Sequence, residues 1–64
     1  MKLYRIEYDG PPDWVEAESM PQAIEKWRAW VTAHDDVDAD AEPDGVTMVA
    51  DSADHVDRPF VVIR

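Results

Sequence analysis

Apolar and polar side chains alternate through Lys2–Tyr8, with Tyr4, Ile6 and Tyr8 on one face and Leu3, Arg5 and Glu7 on the other. That period of two predicts a half-buried strand. The next five residues, Asp9–Asp13, read DGPPD. Gly10 tolerates positive φ, and Pro11 and Pro12 cannot continue a hydrogen-bonded ladder, so a turn is expected there. Alternation resumes in WVEAES, where Val15 and Ala17 share the inward parity and Trp14, Glu16 and Glu18 the outward one. The two runs predict a hairpin. At Ser19 the period changes to that of a helix. The Ser19 hydroxyl can accept from the Gln22 amide and Gln22 can answer, a capping box, while Pro21 sits in the first turn where amides lack helical acceptors. Met20, Ala23, Ile24, Trp27, Trp30, Val31 and His34 then fall on one stripe. Burying Trp27 and Ile24 would contribute about 2–3 kcal/mol each. The helix should stop near His34, because Asp35 and Asp36 oppose the negative end of its dipole.

Two further strands are expected after the helix. In VTMVAD, Val46, Met48 and Ala50 alternate with Thr47 and Val49. The polar stretch SADHVDR leads to RPFVVIR, with Pro59 at the strand start, where no ladder donor is needed. Phe60 and Val62 occupy one face of this last strand and Val61 and Ile63 the other. A strand apolar on both sides belongs at the centre of a sheet or under a second cover. The order ββαββ predicts an α+β fold, a single two-layer domain over 1–64 with one helix packed on a small, mainly antiparallel sheet.

Size limits what this fold can do. At 64 residues a chain buries only about 60% of its unfolded surface, so its stability rests on a few kcal/mol. Trp14, Trp27, Trp30, Tyr4, Tyr8 and Phe60 supply large buried area per residue. There is no cysteine, hence no disulfide and no thiolate metal site, and a reducing bacterial or archaeal cytoplasm is the expected compartment. No apolar run of signal-peptide or membrane-spanning length is present in the sequence.

Charge changes the picture most. Fifteen acids face six bases, a formal net charge of −9. Asp35, Asp36, Asp38, Asp40, Glu42 and Asp44 lie within ten residues, and Asp51, Asp54 and Asp57 follow with no Lys or Arg until Arg58. Direct binding of a phosphate backbone depends on clustered bases, so nucleic acid is not the expected partner. General salt adaptation, plain solubility and a field aimed at a basic partner all fit such a composition.

Other chemistry is weakly signalled. Asp36, Asp38 and Asp40 take the alternating positions of a calcium loop, but the turn glycine is replaced by Ala41 and the bidentate acid by Thr47. His55 lies between Asp54 and Asp57. That grouping can orient an imidazole, yet His34 is the one other histidine, and no nucleophile motif or phosphate-cradling loop accompanies it. The expectation is a protein without catalytic activity, metal or cofactor. Trp14, turned outward by the parity that buries Val15 and Ala17, is a candidate contact anchor. Leu3, Val49, Val61 and Ile63 combine into a candidate dimer face on the outer side of the sheet.

The stretch WVEAESMPQAIEKW carries a resemblance. Its V-x-A-x-S-x-x-x-A-I-x-x-W spacing is similar to small phage- and prophage-encoded accessory proteins, and the hairpin-to-helix transition also resembles the N-terminal part of HicB-type antitoxins. Both likenesses cover about the first 34 residues, and the chain departs from the antitoxin pattern in lacking its longer Gly-containing strand connection. Size and charge resemble the acidic anti-CRISPR inhibitors that imitate DNA. The resemblance implies a non-enzymatic binding protein whose acids, with Trp14, block a basic groove of a nucleic-acid-binding machine. The alternative is an assembly module that dimerises through its outer sheet face, with acidity serving solubility.

Overall fold

The computed structural model describes residues 1–35, 37–38, 40–52 and 62–64. β1 (Lys2–Glu7) and β2 (Asp13–Ala17) pair antiparallel, with Tyr4 opposite Val15 and Ile6 opposite Asp13. Between them the chain reverses through two residues of positive φ, Asp9 at 40° and Gly10 at 140°. A side chain would strain the Gly10 conformation, whereas Asp tolerates the left-handed region better than most residues.

The helix α1 spans Met20–His34. Its Ser19 cap accepts from the Gln22 amide at 3.3 Å, and the Gln22 side chain returns to an amide one residue earlier than expected, Glu18 N–H, at 2.6 Å. Ala23, Trp27 and Val31, spaced four apart, form its buried row. Ile24 and Trp30, at the margins of the stripe, are half-buried, and Met20 and His34 are exposed. Ile24 is therefore a flank residue rather than the core anchor its position in the stripe suggested. The helix closes where the Asp35 amide donates to the Val31 carbonyl at 2.8 Å.

β3 (Gly45–Ala50) and β4 (Val62–Ile63) complete a four-stranded sheet in the order β3-β1-β2-β4. β3 runs antiparallel to β1, and β4 runs parallel to β2, so the sheet is mixed. The last strand sits at an edge, beside β2, not at the centre; β1 and β2 are the interior strands. The core lies between sheet and helix and is built from Tyr4, Ile6, Val15, Ala17 and Ile63 on one side and Ala23, Trp27 and Val31 on the other.

Trp27 is fully buried, yet its indole N–H is satisfied: it donates to Asp13 Oδ2 at 3.0 Å. The Tyr8 ring meets it edge-on with centroids 5.3 Å apart. One bond and one ring contact thus fix the helix against the hairpin.

The outer face differs from the expected dimer patch. Ile63 pairs with Val15, places its side chain on the helix side and is 7% exposed. It belongs to the core because a parallel neighbour in register shares the face of its partner, and Val15 faces the helix. Val62 is instead the residue level with Trp14. Leu3 does lie on the outer face but is 0% exposed. Val49 is 44% exposed, and Val61 lies outside the described residues. A register shift opposite Leu3 and Tyr4 pairs Met48 with Tyr4 and Ala50 with Leu3. This bulge carries Ala50 to the outer side, away from the Val46–Met48 face it was expected to share. Trp14, beside Arg5 and Val62, is half-buried. Arg5 Nε lies 3.3 Å from Glu7 Oε1, close enough for an ion pair but not aligned as a hydrogen bond.

Replacing Asp13 by Ala leaves the Trp27 N–H buried without its acceptor and should lower stability by about 1–3 kcal/mol in urea unfolding. Asp13→Asn keeps a carbonyl oxygen and should cost distinctly less. Equal losses for the two variants would show that the indole bond does not contribute.

Candidate acidic interface

The topology brings separate acids to one end of the molecule. β1 ends there with Glu7, the hairpin turn adds Asp9 and Asp13, and α1 ends there with Asp35 following. β3 starts there after Asp44, whose amide donates to the Glu7 carbonyl at 2.7 Å and whose carboxylate accepts from Asp9 N–H at 3.2 Å. The C-terminal carbonyls of α1 add partial negative charge. A cleft of about 390 Å³ opens at this end. Tyr8, Pro11 and Pro12 line it together with Asp9, Asp13 and Asp35, and Val31 and Val37 also border it. No Lys or Arg is among these lining residues.

Sequence reading places the acidic surface in the crossover and in the Asp51–Asp57 stretch, and misses Glu7, Asp9 and Asp13. The signal was available in the topology it had inferred. In a hairpin followed by one helix, the hairpin turn and the helix C-terminus lie at the same end, so acids in either meet.

The crossover from α1 to β3 is not an extended, self-repelling spacer. Val37 and Ala41 pack against the core. The Ala41 amide closes a turn onto the Asp38 carbonyl at 3.0 Å. Arg28, on the flank of α1, reaches across with Nε donating to the Ala41 carbonyl and Nη2 to Glu42 Oε1, both at 2.7 Å. The segment lacks a base of its own, and a helix arginine supplies one. The outcome is that Asp35, Asp38, Asp40, Glu42 and Asp44 are exposed but carried on a segment tied down at its middle and at its end. Self-repulsion is outweighed here because two small apolar side chains gain burial while a charge-assisted hydrogen bond neutralises one acid.

Asp51 is exposed and follows the far end of β3, roughly 17 Å from the acidic end at about 3.3 Å per residue. It does not share one patch with the crossover. Asp36, Asp54, His55 and Asp57 lie outside the described residues, as do Phe60 and Val61. Among the described residues no group of three or more His, Asp or Glu side chains is arranged to hold a metal ion. His34 stacks on Trp30 at 4.5 Å, with Nδ1 2.8 Å from the Trp30 carbonyl. No helix among the described residues is long and apolar enough to cross a membrane.

Comparison with protein-family models, curated proteins and solved structures returned no match.

Arg28→Ala should free the middle of the crossover while leaving α1 folded. Amide exchange at Ala41 and Glu42 should accelerate, and global stability should fall by about 1–2 kcal/mol. Unchanged exchange in the crossover would show that Arg28 does not hold it.

Proposed function

We propose that this chain is a non-enzymatic binding protein whose acidic end and crossover dock on a basic surface of a partner protein, in competition with the nucleic acid that surface otherwise holds. The observation that carries this reading is the clamping of the crossover by Arg28. A solubilising linker needs no fixed path, whereas carboxylates meant to meet Lys and Arg side chains gain from being held in place before contact, because less ordering is lost on binding. The cleft beside Asp9, Asp13 and Asp35 offers a place for one long basic side chain, with Tyr8 and the two prolines to cover its methylene stem. Long-range attraction by a chain of net charge −9 would also speed encounter with such a surface. A cysteine-free chain of this kind suits a reducing cytoplasm, and an inhibitor of phage anti-defence type is the specific form the proposal takes.

The test is affinity capture from a bacterial lysate at low and physiological salt, followed by competition with duplex DNA and with RNA. A nucleic-acid-binding protein should be recovered, be released as salt rises, and be displaced by its nucleic acid. The triple variant Asp38→Asn, Asp40→Asn, Glu42→Gln should capture it far less. Recovery of no such protein even at low salt overturns the reading, as does a partner that binds its nucleic acid and this chain together.

A further inference from the structure

β3 is an edge strand with β1 on one side and, among the described strands, none on the other. Such an edge presents unpaired backbone donors and acceptors to any extended chain. Natural edges are usually blunted with Lys, Pro or inward-pointing charge. The sequence of this one, GVTMVA, contains none of these. Among the described residues its one protective device is the bulge near Val49, which leaves Gly45–Met48 in regular register with β1. Thr47, Met48 and Val49 are exposed, Met48 at 45% and Val49 at 44%. The edge is therefore uncharged and partly apolar in the middle and bounded by carboxylates, with Glu42 and Asp44 before it and Asp51 after it.

Charge decides between a second copy and a different chain. Antiparallel self-pairing would carry the acid-flanked start of one β3 toward the acid-flanked end of the other, between two chains each of net charge −9. Like charges set across a strand pair oppose pairing. A segment with an uncharged centre and basic ends meets the opposite condition at both ends.

We propose that the open edge of β3 receives an extended segment of the partner protein, apolar and β-prone in its centre and flanked by Lys or Arg. Main-chain hydrogen bonds supply the affinity, and Asp44 and Asp51 select the basic flanks. Met48, unbranched and polarizable, adapts to the side chain that faces it. The inference rests on the basic partner proposed above and adds the surface and the mode by which part of it is held.

The probe is a labelled peptide, Lys-Thr-Val-Thr-Val-Thr-Lys, with a Glu-flanked twin and a twin N-methylated at alternate residues. Anisotropy should show the Lys peptide binding about tenfold or more tightly than the Glu twin, a difference the size of one or two charge contacts. One of the two N-methylation registers should abolish binding. Amide exchange should slow in Gly45–Val49 and not in the crossover. Met48→Lys, a change at an exposed position that leaves the core intact, should weaken the Lys peptide by a similar factor. Equal binding of both twins, indifference to N-methylation in either register, or slowing confined to another region overturns the proposal. So does a dimer in sedimentation that Val49→Lys dissociates, because a second copy then occupies the edge. If the peptide fails while lysate capture still depends on Asp38, Asp40 and Glu42, the edge inference falls and the acidic-interface reading stands; the converse result separates them the other way.

Discussion

The bond from the Trp27 indole to Asp13 is the constraint on which the rest of the molecule depends. Trp27 is the largest fully buried side chain, and a core this small cannot leave its N–H without an acceptor. Asp13 can provide one only if the helix crosses the hairpin with Trp27 level with the start of β2. That single alignment sets the others. It brings Tyr8 edge-on to the indole, seats Ala23 and Val31 a turn to either side over the sheet, and fixes the C-terminal turn of α1 next to the hairpin loop.

The acidic end follows from that alignment. Once the C-terminus of α1 is held beside the hairpin turn, Asp35 joins Asp9 and Asp13, and the chain must return from this end to begin β3 beside Glu7. Carboxylates gathered near a helix C-terminus repel one another and the helix dipole. The fold offsets this at three points, through the Asp9 amide donating to Asp44, through Arg28 reaching Glu42 and through Arg5 standing 3.3 Å from Glu7. The described bases otherwise lie elsewhere. Lys26 donates to the Glu16 carbonyl at 2.9 Å, and Arg64 stands 3.8 Å from Glu16, both toward the opposite end of β2. The acids are thus left largely unneutralised on one side of a small molecule.

Local signals carried most of the architecture. The alternation in β1 and β2, the Ser19 cap and the row Ala23, Trp27, Val31 each depend on residues within a few positions of one another, and each is legible for that reason. The misreadings were long-range. Parity shows that Val62 and Ile63 face opposite ways, but not which way, because that depends on β4 lying parallel to β2 with Ile63 level with Val15. The bulge that turns Ala50 outward arises from pairing with β1 and leaves no mark in the alternation of β3 itself. In the crossover, charge density gives no hint of a fixed path, and no local rule announces that Arg28, fourteen residues before Glu42 in sequence, will hold it. Asp13 was read only as a turn residue, since its acceptor role exists only once Trp27 is placed above it.

Acidity acts on this protein in two directions. A net charge of −9 on 64 residues burdens the compact state with self-repulsion, and a core of this size has little stability to spare. Salt relieves that repulsion, and the same salt screens attraction to a basic partner, with a Debye length of about 8 Å near physiological ionic strength. Folding and the proposed docking on a basic partner would therefore respond to salt with opposite sign. Acids serving only solubility or salt tolerance would be expected to spread over the surface, where mutual repulsion is least. Here Asp9, Asp13, Asp35 and Asp44 are concentrated at the end fixed by the Trp27–Asp13 bond, and two of the fold's polar contacts hold the crossover acids beside them. That arrangement raises the electrostatic cost of folding in return for a localised field, which is the distribution a docking surface requires and a solubilising one does not.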